Sequence, residues 1–213
     1  MIAAPSERIH APAAARAPVW LLRLLAWLLL GWGLIGANSA RADEEIKFDA
    51  AWEGEFVAVS ASADLSVDVA TVWSVLLDYD RFAEFIPDMV SSRVVSRSSE
   101  GMVVEQRGEF GFLFFRQPVH LVLDVVLEQP RRMLARSIAG DLRELASSFD
   151  IDQTAQGLRL SYSARFLPAA PLPPFIGLAV VRHQMKKQFA AMVQEMIRRG
   201  ARTEAMGRTE AQR

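Results

Sequence analysis

The stretch PPFIGLAVVRHQMKKQFAAMVQEMIRR, residues 173–199, decides how the rest of the chain folds. At 100° per residue, Leu178, Val181, Met185, Phe189, Met192 and Met196 fall within about 40° of one line. His183, Lys187 and Gln194 occupy the opposite side. Pro173 and Pro174 suit a first helical turn, where a missing N–H costs little. Arg198 and Arg199 fall where the helix dipole favours cations, and Gly200 suits a helix end. The spacing therefore predicts one helix about 40 Å long. Its Met- and Phe-rich stripe needs a broad apolar surface to cover it.

The preceding sequence supplies that surface as strands. EFVAVSASA (Glu55–Ala63) alternates and reads as a first strand. Ser66 is a candidate N-cap for a helix over 67–77, and a short helical turn over 80–85 stops before Pro87. Strand patterns follow at 89–97, 102–115, 119–127, 132–139, 142–151 and 158–166, separated by turn signals such as Ser99-Glu100-Gly101 and Gly140-Asp141. Along 119–127, Val119, Leu121, Leu123, Val125 and Leu127 share one face, and His120 and Asp124 share the other. Short connections imply an antiparallel meander. The expectation is an α+β domain in which a curved sheet of about seven strands wraps the long C-terminal helix, with two short helices between strands 1 and 2. Residues 43–52 read as an acidic lead-in and 201–213 as a frayed polar tail.

The first 42 residues differ in composition. Arg8, Arg16 and Arg23 precede a 13-residue apolar run, Leu24–Gly36, and Ala40-Arg41-Ala42 is a small-x-small cleavage site. This pattern predicts a signal peptide, a mature start at Asp43 and a periplasmic protein. The alternative is an uncleaved anchor over 19–37. Residues 1–42 hold four Arg and one Glu, so 20 basic and 24 acidic residues remain, a net of −4. That balance argues against nucleic acid as a partner. The chain has no cysteine, which excludes disulfides and thiolate chemistry.

Enzyme motifs give little. GxSxG, HExxH, GxGxxG and phosphate loops are absent. His120 falls on an outward strand face and His183 on the solvent side of the helix, so neither metal nor cofactor is implied. Asp78 and Asp80 read as turn residues. Strand parity turns a few polar groups inward: Gln106, Tyr162 and Arg143, the last beside Leu145, Ser147 and Phe149. With Val104, Leu121, Leu123, Met185, Phe189, Met192 and Phe85 they form the candidate lining of a cavity. Arg143 would meet an anionic or carbonyl head group. The cluster Phe110, Phe112, Phe114 and Phe115, with Phe85 and Pro87, would form core, a cavity mouth or a membrane-surface contact.

VATVWSVLLDYDRFAEFIPDM (69–89), FGFLFFRQPV, SIAGDLRELASSFDI, GLRLSYSARF and PLPPF resemble, in order and spacing, the START-like (SRPBCC, helix-grip) superfamily. The branch is that of polyketide cyclase/dehydrase or coenzyme-Q-binding proteins. The resemblance covers about 51–199. It implies an apolar cavity between sheet and long helix that binds lipids, quinones, sterols or polyketide-like molecules. The expected function is an exported binding protein for such a hydrophobic small molecule. The alternatives are a cyclase or dehydratase on the same cavity, or an interaction module whose cavity is filled core. The residues do not set the oligomeric state.

Overall fold

The computed structural model describes residues 46–112, 115–168 and 174–210. The expected signal segment 1–42, the middle of the proline-rich elbow and Phe114 lie outside the described residues. Strand β1 (Lys47–Glu53) forms a hairpin with β2 (Phe56–Leu65). Helix α1 (Val69–Leu76), a 3₁₀ turn (Tyr79–Arg81) and the single-turn α2 (Phe82–Phe85) follow. Six strands then run as a meander: β3 (Met89–Arg97), β4 (Gly101–Phe112), β5 (Phe115–Glu128), β6 (Arg132–Gly140), β7 (Leu142–Thr154) and β8 (Gly157–Pro168). Helix α3 (Pro174–Glu210) follows.

The sheet has eight strands in the order β1-β2-β8-β7-β6-β5-β4-β3, every pair antiparallel. Pairing of β2 with β8 (Ala61↔Tyr162) joins the N-terminal hairpin to the meander. The expected lead-in thus contains an edge strand. Its fully buried position is Ala50, a residue too small to mark a core face by hydrophobicity alone. The N-cap of α1 is Asp68 rather than Ser66: its Oδ1 accepts from the Thr71 N–H at 2.6 Å.

The sheet curves around the stripe of α3. Val181, Phe189, Met192, Val193 and Met196 are buried; Leu178 and Met185 pack with Val181 against a second apolar cluster that includes Ala50, Val57 and Ala164. His183, Lys187 and Gln194 are exposed, as the wheel requires. Helix α3 continues past Gly200 to Glu210, so residues 201–210 are helical and not frayed. Gly200 is buried inside the helix because Val67 lies over it: a Cβ there would sit 2.6 Å from Val67 Cγ1. Residues 201–208 are solvent-exposed, include good helix formers and have a Glu204–Arg208 pair at i, i+4.

Two polar assemblies fix the helix to the rest. Near its middle, Arg199 reaches Asp78 at 2.6 Å, Glu195 at 2.7 Å and the Ser74 carbonyl at 2.8 Å, tying α3 to α1 and the 3₁₀ turn. Nearer its start, Gln184 is bonded to the backbone of β4, and Lys187 and Gln188 reach Asp88 and the Pro87 carbonyl. Between these fixings the helix and the sheet do not close completely.

Candidate functional site

An apolar cavity of about 340 Å³ lies in that gap. This is within the lower part of the range for small-molecule sites. Its floor is sheet: Val119, Leu121 and Leu123 of β5, Met133 and Ala135 of β6, Phe149 of β7 and Tyr162 of β8. Alternation along each strand puts these side chains on one face. Its roof is α3, through Met185, Phe189 and Met192, at the four-and-three spacing of one helical stripe. Tyr79, Phe82 and Ile86 close one side from the segment after α1.

Aromatic rings define one end. Tyr162 lies 4.7 Å from Phe149 and 6.4 Å from Phe189, centroid to centroid. Tyr79 lies 4.6 Å from Phe82. Burial pushes the Tyr162 phenol up to about 12, partly offset by a hydrogen bond with Ser147. Tyr162 also lines the cavity. Burial also raises Tyr79, with Tyr162 nearby adding to the effect. The Tyr79 hydroxyl donates to Met133 Sδ at 3.7 Å. Both phenols are therefore neutral donors at physiological pH.

Polar side chains gather elsewhere on the wall: Asp88, Gln106, Glu109, Asp141, Gln184 and Gln188. Asp88 has φ 63°, a left-handed conformation that Asp tolerates better than most residues. Its carbonyl accepts from the Glu109 N–H at 2.8 Å. Gly108 permits that approach, since a Cβ there would lie 2.8 Å from the Asp88 oxygen. A smaller polar hollow of about 130 Å³ adjoins this part, shared by Arg116, His183 and Lys187. Its cations are directed at carboxylates: Arg116 to Glu109 at 2.6 Å and Lys187 to Asp88 at 3.4 Å.

Of the residues singled out from sequence, Gln106, Leu121, Leu123, Tyr162, Met185, Phe189 and Met192 line the cavity. Three do not. Val104 is wholly buried, packed between neighbouring strands as core. Phe85 faces away, 4 positions along from Arg81, and lies under the Arg199 guanidinium at 5.8 Å and against Phe82. Arg143 is exposed: a register shift between Leu142 and Glu144 breaks the parity, so Leu142 faces the cavity in its place. Gln106 is turned partly toward β3, its amide 3.4 Å from Ser92 Oγ. His120 sits on the outer face beside Glu105 at 3.0 Å, and Asp124 pairs instead with Arg136.

Tyr79, Phe82 and Met133 are among the lining residues that sequence reading missed. The flanking Asp78 and Asp80 marked a turn, and the turn disguised a buried face. The signal was present: Val72, Val75, Tyr79, Phe82 and Ile86 keep a three-to-four spacing straight through it.

A curved antiparallel sheet closed over a cavity by a long C-terminal helix is the helix-grip architecture of START-like proteins. The chain belongs to the family described as polyketide cyclase / dehydrase and lipid transport, which matches residues 65–193. Solved structures share the fold at low identity. A STAR-related lipid transfer protein from Xanthomonas axonopodis aligns with TM-score 0.60 at 13% identity, over 74% of this chain and 96% of that one. The Zhui aromatase/cyclase from Streptomyces sp. R1128 aligns with TM-score 0.53 at 12% identity, over 74% and 95%. A START superfamily protein from Mycobacterium smegmatis aligns with TM-score 0.53 at 12% identity, over 68% and 98%. No curated protein matches the sequence closely enough to align with it.

Proposed function

We propose that the protein is an exported binding protein that holds a hydrophobic small molecule, of the lipid, isoprenoid quinone or polyketide-like kind, beneath α3. One observation carries this reading: a largely apolar cavity of about 340 Å³ that side chains leave open between the sheet and α3. Burial is the driving force. Each CH₂ removed from water contributes about 0.8 kcal/mol, so ten carbons give roughly 8 kcal/mol gross before ordering costs. The lipid-transport part of the family description fits the same reading. Organic extraction of the purified protein followed by mass spectrometry tests it. A stoichiometric apolar compound supports the proposal. An empty protein that also binds no lipid or quinone in titration overturns it.

Export is the second half of the proposal and rests on the pattern of residues 1–42. Cell fractionation with N-terminal sequencing checks it: a periplasmic protein starting at Asp43 is the expected result, and a cytoplasmic protein with an intact start contradicts it.

A cyclase or dehydratase on the same cavity is the competing reading. The family description and the two buried phenols favour it. Against it, among the described residues the cavity lining contains no His, and burial holds both phenols neutral.

A further inference from the structure

The electrostatics of the cavity narrow the class of ligand. Among the described residues its lining contains no Lys, Arg or His; its charged members are Asp88, Glu109 and Asp141. The Asp141 carboxylate already accepts from the His120 N–H at 2.7 Å. Arg116 and Lys187 stand in the adjoining hollow, directed at Glu109 and Asp88, and Arg143 is exposed. A carboxylate or phosphate drawn into this space would lose its water and find no cation in the lining, while the nearest cations, Arg116 and Lys187, are already engaged by Glu109 and Asp88.

The aromatic end offers the opposite chemistry. The Tyr79 hydroxyl spends its proton on a thioether sulfur, a weak acceptor, at 3.7 Å. Ser147 is the polar side chain that acts on the Tyr162 hydroxyl. Ser147 Oγ in turn is 3.5 Å from the Ala135 carbonyl, at the long limit of a hydrogen bond. Neutral hydroxyls with weak or long partners, walled by Phe82, Phe149 and Phe189, suit an incoming neutral oxygen acceptor. A ketone, quinone or ester carbonyl has that character.

We infer that the cavity selects an uncharged apolar molecule bearing a carbonyl oxygen, received by the hydroxyls of Tyr79 and Tyr162, and rejects anionic amphiphiles of equal length. This inference rests on the reading of the cavity as a ligand site. Calorimetric titration of the full-length chain with 2-decanone and with decanoate at about pH 8 tests it. The ketone binds at least about tenfold more tightly than the carboxylate. Decanoate gains affinity as the pH is lowered toward the ordinary carboxylic acid range. Tyr79→Phe and Tyr162→Phe each weaken the ketone by about 2- to 12-fold, the span of one net hydrogen bond, with melting temperatures close to the parent's. Decanoate binding as tightly as the ketone at pH 8, or phenylalanine variants binding the ketone unchanged, overturns the selectivity and leaves the cavity as a ligand site. Failure of both probes to bind at either pH overturns the ligand-site reading, and this inference with it.

Discussion

Gln184 of α3 holds two backbone groups of β4, accepting from the Gly111 N–H at 3.0 Å and donating to the Glu109 carbonyl. Regular pairing of β3 with β4 reaches only to Met89↔Gly108, and Gly111 lies beyond it. Gln184 therefore does for the end of β4 what a neighbouring strand does for the rest. It is 4% exposed, so losing its amide would strand two polar groups away from water.

The Gln184 bridge should be worth keeping intact. Gln184→Met, which preserves length and removes both polar atoms, is expected to cost about 1–3 kcal/mol. For a domain of this size that lowers the melting temperature by about 2–12 °C. Thermal melts check it; an unchanged melt would mean water replaces the amide.

Acid should destabilise the protein through two carboxylates. Glu105 is held down to about 2, chiefly by hydrogen bonds from Arg93 and Arg107, with His120 adding. Glu195 lies below the usual range chiefly because Arg198 donates to it, against the cost of burial, and Arg199 adds to this. A carboxyl with a depressed folded pKa stabilises above its unfolded value, about 4.3, and that gain is lost as the pH falls toward the folded value. The melting temperature is expected to hold between about pH 7 and 5 and to fall between about 4.5 and 2. Glu105→Gln and Glu195→Gln should flatten that fall, measured as melting temperature against pH.

Gly200 should resist the usual helix-stabilising substitution. Gly→Ala inside a helix normally gains about 1 kcal/mol. Here the new Cβ meets Val67 Cγ1 at 2.6 Å, so Gly200→Ala should gain nothing or lose about 1 kcal/mol. Adding Val67→Ala makes room, and the second substitution should then cost less than it does alone. Denaturant melts of the four-member cycle show the coupling, and strict additivity would contradict the contact.

Most of the architecture was legible because its signals were periodic and long. The α3 stripe and the β5 alternation each repeated several times, and the strands from Met89 to Phe166 were bounded by turn residues. The sequence misled where one local event changed the bookkeeping of faces. A register shift at Leu142–Glu144 inverted the direction of Arg143 after an otherwise correct parity from Leu145 to Phe149. Gly200 resembled a helix end because the residue that demands glycine there, Val67, is distant in sequence. Strand β1 was overlooked because its buried position carries only the methyl of Ala50. Tyr79 was hidden by the turn residues beside it. Val104 shows the limit of parity itself, which finds the inward face and does not separate packed core from cavity wall.

The two halves of the α3 stripe should behave differently. Met196 is fully buried and does not line the cavity. Met196→Asp places an unpaired charge in packed core and should cost about 4 kcal/mol or more, enough to prevent folding. A folded Met196→Asp protein, seen by circular dichroism and melting, would contradict that assignment.

Met185 is the complementary position, on the cavity roof and only partly buried. The most direct test of the account compares wild type and Met185→Trp, purified in parallel, extracted with organic solvent and analysed by mass spectrometry. The account predicts an apolar compound in the wild type, its loss in Met185→Trp, and melting temperatures of the ligand-stripped proteins within a few degrees of each other. The same compound at the same occupancy in both proteins, or none in either and no uptake on titration, would contradict it.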